Sequence, residues 1–154
     1  MLILFVIAGN AGSSAPVLRG IAHSAFEAEQ SRDPPASLNM PKALAGRCAL
    51  VTGSTGAIGY AIAEALAEAG ADVCLTGFGE PDAIERQRVA LAQTYGVKAI
   101  YRASELDTAE GCHTLVKGVI AHFGRCDILV VRVTAFEPRV ERGWLRYVAE
   151  LVEP

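Results

Sequence analysis

Leu50-Val51-Thr52-Gly53-Ser54-Thr55-Gly56-Ala57-Ile58-Gly59 is the stretch on which the reading of the fold turns. It continues the apolar run Cys48-Ala49-Leu50-Val51, which has the composition of a buried strand. The run meets a glycine-rich turn, and the turn opens into an alanine-rich segment with helical periodicity. Strand, glycine turn and helix in that order build a dinucleotide-binding site. A helix N-terminus presents unpaired N–H groups and the positive end of its dipole to a pyrophosphate. Gly53 lets the chain turn sharply after the strand, Gly56 lets backbone approach phosphate, and Gly59 lets the helix pack closely on the strand. Gly53, Ser54, Thr55, Gly56, Ala57, Ile58 and Gly59 are therefore the first candidate cofactor contacts.

Outward from this stretch the pattern stays regular. A first strand is predicted over 47–52 and a first helix over 58–69, with Ile58, Ile62, Ala65, Leu66 and Ala69 on one face and Gly70 as its stop. A second strand covers 72–76. Pro81 then opens a second helix at a position where its missing N–H is harmless, and that helix ends near Gly96. A third strand covers 97–101. Asp107 with Glu110 three residues later reads as a capping box for a third helix, whose stripe is Cys112, Leu115, Val116, Val119, Ile120 and Phe123. Gly124 closes it, and 127–131 is the fourth strand. Strands alternating with amphipathic helices predict an α/β fold: a Rossmann-like parallel sheet with helices on both faces, incomplete at about four strands. Right-handed crossovers place the ligand at the carboxyl ends of the strands, beside the first.

Composition narrows the function classes. The chain has 154 residues, 51% hydrophobic and 20% charged, with a net charge of −3, which suits one globular domain with a real core. There is no basic stripe or arginine-rich run, which argues against a nucleic-acid partner. Cys48, Cys74, Cys112 and Cys126 are scattered, form no C-x-x-C pair and favour a reducing compartment, cytoplasm or mitochondrial matrix. His23, His113 and His122 lack zinc-ligand spacing, so no metal site is expected, and the last two are read as surface residues.

The ends of the chain read differently from its middle. Residues 1–41 are expected to be a disordered extension or transit-like segment, with a linker at Ser31-Arg32-Asp33-Pro34-Pro35 and Met40 at a natural domain start. The run Leu2-Ile3-Leu4-Phe5-Val6-Ile7-Ala8 is far shorter than the roughly 20 apolar residues a membrane span needs. Residues 42–133 form the dinucleotide-binding half-domain. Residues 134–154 are a divergent tail, either an amphipathic helix covering part of the sheet or a segment that does not pack. The fourth strand is left with an unpaired edge, an aggregation hazard unless a partner or the tail covers it.

Thr52-Gly53-x-x-x-Ala57-Ile58-Gly59 resembles the Thr-Gly-x-x-x-Gly-x-Gly fingerprint of the short-chain dehydrogenase/reductase family, with Ala57 in place of the middle glycine. Leu75-Thr76-Gly77-Phe78-Gly79-Glu80-Pro81 is similar to the turn of the D-3-hydroxybutyrate dehydrogenases within that family. The segment from Tyr101 to Leu106 resembles the one that holds adenine, which implies a cofactor role for Glu105 and Leu106. Phe123-Gly124-Arg125-Cys126-Asp127-Ile128-Leu129-Val130 is like the family's lead into its fourth strand. After Val130 the likeness breaks: Val131-Arg132-Val133-Thr134 stands where the family has Asn-Asn-Ala-Gly.

The tip of the second strand chooses between NAD and NADP, since an acidic residue bonds a ribose hydroxyl and a basic one a 2′-phosphate. Thr76-Gly77-Phe78-Gly79 is neither, and the glycine turn holds no lysine or arginine, so NAD is favoured. Phe78 lies along the ribose or adenine, or else packs on the sheet. The resemblance implies hydride transfer between a secondary alcohol and nicotinamide. It also implies a catalytic serine and a Tyr-x-x-x-Lys pair, but none of Tyr60, Tyr95, Tyr101 and Tyr147 has a lysine four residues on. No catalytic residue is assigned. The alternatives are a nucleotide-binding or subunit-pairing module without catalysis, partnered by a second copy or a full-length homologue, and a truncated product without function.

Overall fold

The computed structural model describes Ile3–Ala8 and residues 42–133. The expected linker, Met40 as a domain start, His23, Tyr147 and the tail all lie outside the described residues. The elements run β1 (Ile3–Ala8), β2 (Cys48–Thr52), α1 (Ala57–Glu68), β3 (Asp72–Thr76), α2 (Pro81–Tyr95), β4 (Ala99–Tyr101), α3 (Ala109–Phe123) and β5 (Ile128–Val133). They form one sheet in the order β1-β5-β2-β3-β4. β5, β2, β3 and β4 are parallel, with Leu50 opposite both Cys74 of β3 and Leu129 of β5. This is the expected Rossmann-like arrangement of four parallel strands flanked by helices.

Each face of the sheet buries its own apolar layer, as a parallel sheet requires. Ala49, Val51, Val73, Leu75 and Val130 point to one side, where they meet Ile62, Ala63 and Leu66 of α1 and Leu91 of α2. Cys48, Leu50, Cys74, Leu129 and Val131 point to the other, against Cys112, Leu115, Val116 and Val119 of α3. The alternation within each strand puts neighbouring residues on opposite faces, so both layers must be apolar for the strand to be buried. Every residue of β2 accordingly is.

Helix ends follow local chemistry. Pro81 occupies the first turn of α2, and Gly96 (φ 68°) and Gly124 (φ 77°) end α2 and α3 in the left-handed conformation. The cap of α3 differs from expectation by one residue: Thr108 accepts the Gly111 N–H at 3.0 Å, and Asp107 lies one position too early. β4 is shorter than predicted because its lead-in is bonded elsewhere. The Lys98 N–H donates to the Asp72 carboxylate at 2.8 Å, so the regular ladder starts at Ala99.

The segment expected to lie wholly outside the fold contributes one strand. Ile3–Ala8 pairs antiparallel with all of β5, from Ile3 opposite Val133 to Ala8 opposite Ile128. The β5 edge that the sequence left open is thereby hydrogen-bonded, and β5 extends two residues further than predicted. The physical reason is simple: a six-residue apolar run has the length of a strand, and an unpaired apolar edge is the place that accepts one.

The four cysteines are free thiols. Burial pushes Cys74 up to about 12, and Cys112 and Cys126 up to about 11, and it also raises Cys48. A thiol acts as a nucleophile only as thiolate. The folded chain is expected to react with a water-soluble disulfide reagent at pH 8 far more slowly than the same chain in denaturant. Rapid labelling of more than the half-buried Cys126 in native conditions would contradict this packing.

Candidate functional site

The carboxyl ends of the parallel strands gather the residues singled out by the sequence. β2 ends at Thr52, and Gly53 follows at φ 62°, a left-handed conformation that suits glycine. The turn closes with the Gly56 N–H donating to the Gly53 carbonyl at 3.3 Å, and α1 starts at Ala57. No side chain caps α1 and its first turn holds no acidic residue, so among the described residues its positive end has no counter-charge. A Cβ at Gly59 would overlap the Gly53 carbonyl oxygen and stand 2.7 Å from its carbon. Gly59 is therefore what allows α1 to sit directly on the turn.

The turn is fixed from below and from the side. Ser54 is buried, and its hydroxyl accepts the Thr76 N–H at 2.9 Å while donating to the Thr76 carbonyl at 3.2 Å. Thr55 donates to the Phe78 carbonyl at 2.8 Å, and a Cβ at Gly77 would overlap the Thr55 hydroxyl. Gln87 of α2 donates to the Thr55 carbonyl at 3.4 Å. These bonds tie the glycine turn to the tip of β3. Tyr101, at the end of β4, donates to the Gly77 carbonyl at 2.7 Å and extends the same line of tips.

The other candidates fall around this line. Phe78 stands off the sheet with its side chain 87% exposed, which excludes the reading in which it packs there. Ala57 is exposed and helical, so the positive φ that a methyl would oppose is not required of it. Ile58 is half-buried and packs against the core beneath α1. Glu105 is exposed in the loop after β4, with its carbonyl against Gly111 of α3. Leu106 packs on the α3 side of the sheet, and its carbonyl faces the Cys112 thiol. Beside this loop lies a depression of about 180 Å³ lined by Arg102, Ala103, Ser104, Thr114 and Leu115.

One neighbour of the turn is not singled out by the sequence, although it stands in the segment where the family has Asn-Asn-Ala-Gly. The guanidinium of Arg132, from β5, lies over it: a Cβ at Gly53 would be 3.4 Å from Nη1, and one at Gly56 3.2 Å. Its Nε is shut off from solvent without a hydrogen-bond partner. An orphaned guanidinium nitrogen, an uncapped helix N-terminus and a cradle that only glycine permits together fit the diphosphate of a dinucleotide. Two of the described tyrosine hydroxyls, Tyr60 and Tyr101, donate to backbone carbonyls. The Tyr60 hydroxyl donates to the Gln87 carbonyl, with its pKa pushed up to about 12 by burial, and burial also raises Tyr95. Among the described residues no helix is long and apolar enough to cross a membrane.

Known proteins match this part of the chain. The profile of the short chain dehydrogenase family covers residues 47–142, reaching past Val130, where the fingerprint likeness breaks. The D-beta-hydroxybutyrate dehydrogenase of Cupriavidus necator is 38% identical over 87 residues, 56% of this chain and 33% of that one. The NADP-dependent mannitol dehydrogenase of Aureobasidium melanogenum is 43% identical over 89 residues, 55% of this chain and 33% of that one. The crystal structure of L-sorbose reductase from Gluconobacter frateurii with NADPH and L-sorbose superposes with a TM-score of 0.53 at 34% identity. That match covers 58% of this chain and 34% of that one. This chain thus spans about a third of the length of the relatives it matches, and hydroxybutyrate and mannitol dehydrogenases match it comparably well. With its profile match across most of the chain and its four parallel strands around a glycine turn, the protein belongs to the short-chain dehydrogenase family.

Proposed function

We propose that this chain is the NAD-binding part of a short-chain oxidoreductase resembling the 3-hydroxybutyrate dehydrogenases. The observation that carries the reading is the seat of α1 on the glycine turn, with Gly59 against Gly53 and the uncapped helix end facing out. The backbone of Gly53, Ser54, Thr55, Gly56, Ala57, Ile58 and Gly59 would hold the diphosphate, and Phe78, Glu105 and Leu106 would flank the adenosine end. Bound nicotinamide would supply the hydride acceptor or donor for a secondary alcohol or ketone. This chain's own contribution is to bind and orient the dinucleotide, with no general acid or base assigned to it. The engaged hydroxyls of Tyr60 and Tyr101 favour, as the second reading, a nucleotide-binding or subunit-pairing module without catalysis.

The preference for NAD rests on the tip of β3, where Thr76, Gly77, Phe78 and Gly79 offer no cation to a 2′-phosphate. Arg132 does not alter this, because β5 lies on the other side of β2 from β3. The scattered, unpaired cysteines support a cytoplasmic or mitochondrial-matrix protein, and no nucleic-acid partner is proposed.

Thermal unfolding of the chain with NAD, with NADP and with neither is the test. NAD at about 100 times its dissociation constant is expected to stabilise by about 2.7 kcal/mol. For a folded unit of about 100 residues this raises the midpoint by roughly 10–20 °C. A larger shift with NADP at equal concentration would overturn the cofactor choice. No shift with either would overturn the dinucleotide reading itself.

A further inference from the structure

Arg132 occupies a strand position whose backbone is fixed and whose charge is unmatched among the described residues. Its N–H donates to the Thr52 hydroxyl at 2.8 Å, and that hydroxyl is 3.4 Å from the Arg132 carbonyl. Thr52 is fully buried, so the pair locks the end of β5 to the residue that immediately precedes the glycine turn. The side chain then crosses from β5 onto the turn, with Nη1 near both Gly53 and Gly56. Among the described residues no carboxylate pairs with it, whereas Arg47, Arg88 and Arg125 each have one. The half-buried guanidinium stands beside the positive end of α1, which has no side-chain cap and no acidic residue in its first turn. Two positive sources on one small surface repel each other, and an anion that bridges them removes that repulsion.

We infer that Arg132 is the counter-charge that this chain presents to the diphosphate of its dinucleotide, a binding residue donated by β5 from outside the glycine motif. The inference rests on the proposed function for the identity of the ligand, but the anion site itself does not. Backbone N–H groups of the α1 end would contact one side of the diphosphate and the guanidinium the other. The long side chain pivots beyond its fixed backbone, so it follows the ligand without moving the strand.

The test measures binding by isothermal titration to the full chain and to Arg132→Gln and Arg132→Lys, using NAD, ADP-ribose and inorganic pyrophosphate as probes. Arg132→Gln is expected to weaken NAD and ADP-ribose by roughly 10- to 100-fold, and Arg132→Lys to restore part of the loss. The wild-type affinity should also fall more steeply with added salt than that of Arg132→Gln. Equal or tighter binding by Arg132→Gln, in a chain that still unfolds cooperatively, would overturn the inference and make the side chain an obstacle in the site. Wild-type chain that binds pyrophosphate through Arg132 but ignores NAD would sustain the anion site and overturn the dinucleotide reading.

Discussion

Gly59→Ala is expected to lower the unfolding midpoint and abolish measurable NAD binding. Helix propensity alone favours alanine by about 1 kcal/mol. Against that, the new methyl would overlap the Gly53 carbonyl group and lie 2.8 Å from the Ser54 Cα. These are backbone atoms held by the β2 end and by the Ser54–Thr76 bonds, so they cannot swing aside as a side-chain tip would. Overpacking of this kind costs about 1–3 kcal/mol and sometimes more. With the clash at the upper end of that range, as overlap with fixed backbone demands, the net loss is about 2 kcal/mol, or roughly 8–16 °C for a unit of about 100 residues. Relief comes only by lifting α1 off the turn, which moves the helix N–H groups away from the ligand. Calorimetric unfolding and NAD titration of the variant check both halves. An unchanged midpoint with intact binding would show that the close seat of α1 is not needed.

Asp127→Ala is expected to destabilise the chain by about 2–4 kcal/mol at neutral pH, without acting on the site directly. Asp127 lies at the amino-terminal end of β5, at the opposite end of the sheet from the turn. Its carboxylate accepts the Cys48 N–H at 2.9 Å, Arg47 at 3.0 Å and Arg125 Nε at 2.6 Å. It thus fastens the start of β5 to the start of β2. Burial pushes the carboxyl pKa up, but the bonds from Arg125, the Cys48 N–H and Arg47 outweigh burial, and the net effect holds it below its ordinary value. A carboxylate whose folded pKa is depressed contributes its stability above the unfolded pKa, near 3.9, and loses it as pH falls through the folded value. The gap in stability between wild type and Asp127→Asn should therefore be full at pH 7 and 5 and shrink below about pH 4. Denaturant unfolding across that range measures it. A gap independent of pH would sink the assignment.

What the sequence made legible was what neighbours along the chain decide. The β2–turn–α1 unit, the Pro81 start and the Gly96 and Gly124 stops are local events, and each has a residue whose backbone preference marks it. What it hid were contacts made only by folding. Arg132 is 76 residues beyond Gly56, so an inventory of the turn for lysine or arginine finds none, although the sheet order brings a guanidinium onto it. From the sequence Ile3–Ala8 lies outside the fold, because nothing local says that so short an apolar run joins a sheet, or at which edge. The β4 boundary failed for a related reason: the Asp72 side chain takes the Lys98 N–H, a competitor that periodicity ignores. Phe78 was left between two readings because exposure belongs to the assembled surface.

The pairing of β1 with β5 also sets a schedule for the growing chain. Partners along that ladder are 120 to 130 residues apart. At about 5–20 residues per second, the ribosome delivers β5 roughly 6–25 s after β1 has been made. The parallel strands between them close over much shorter loops, so they are free to assemble first. Throughout that interval an apolar hexapeptide waits without its ladder. Loop-closure entropy therefore favours the β1–β5 ladder forming after the parallel strands.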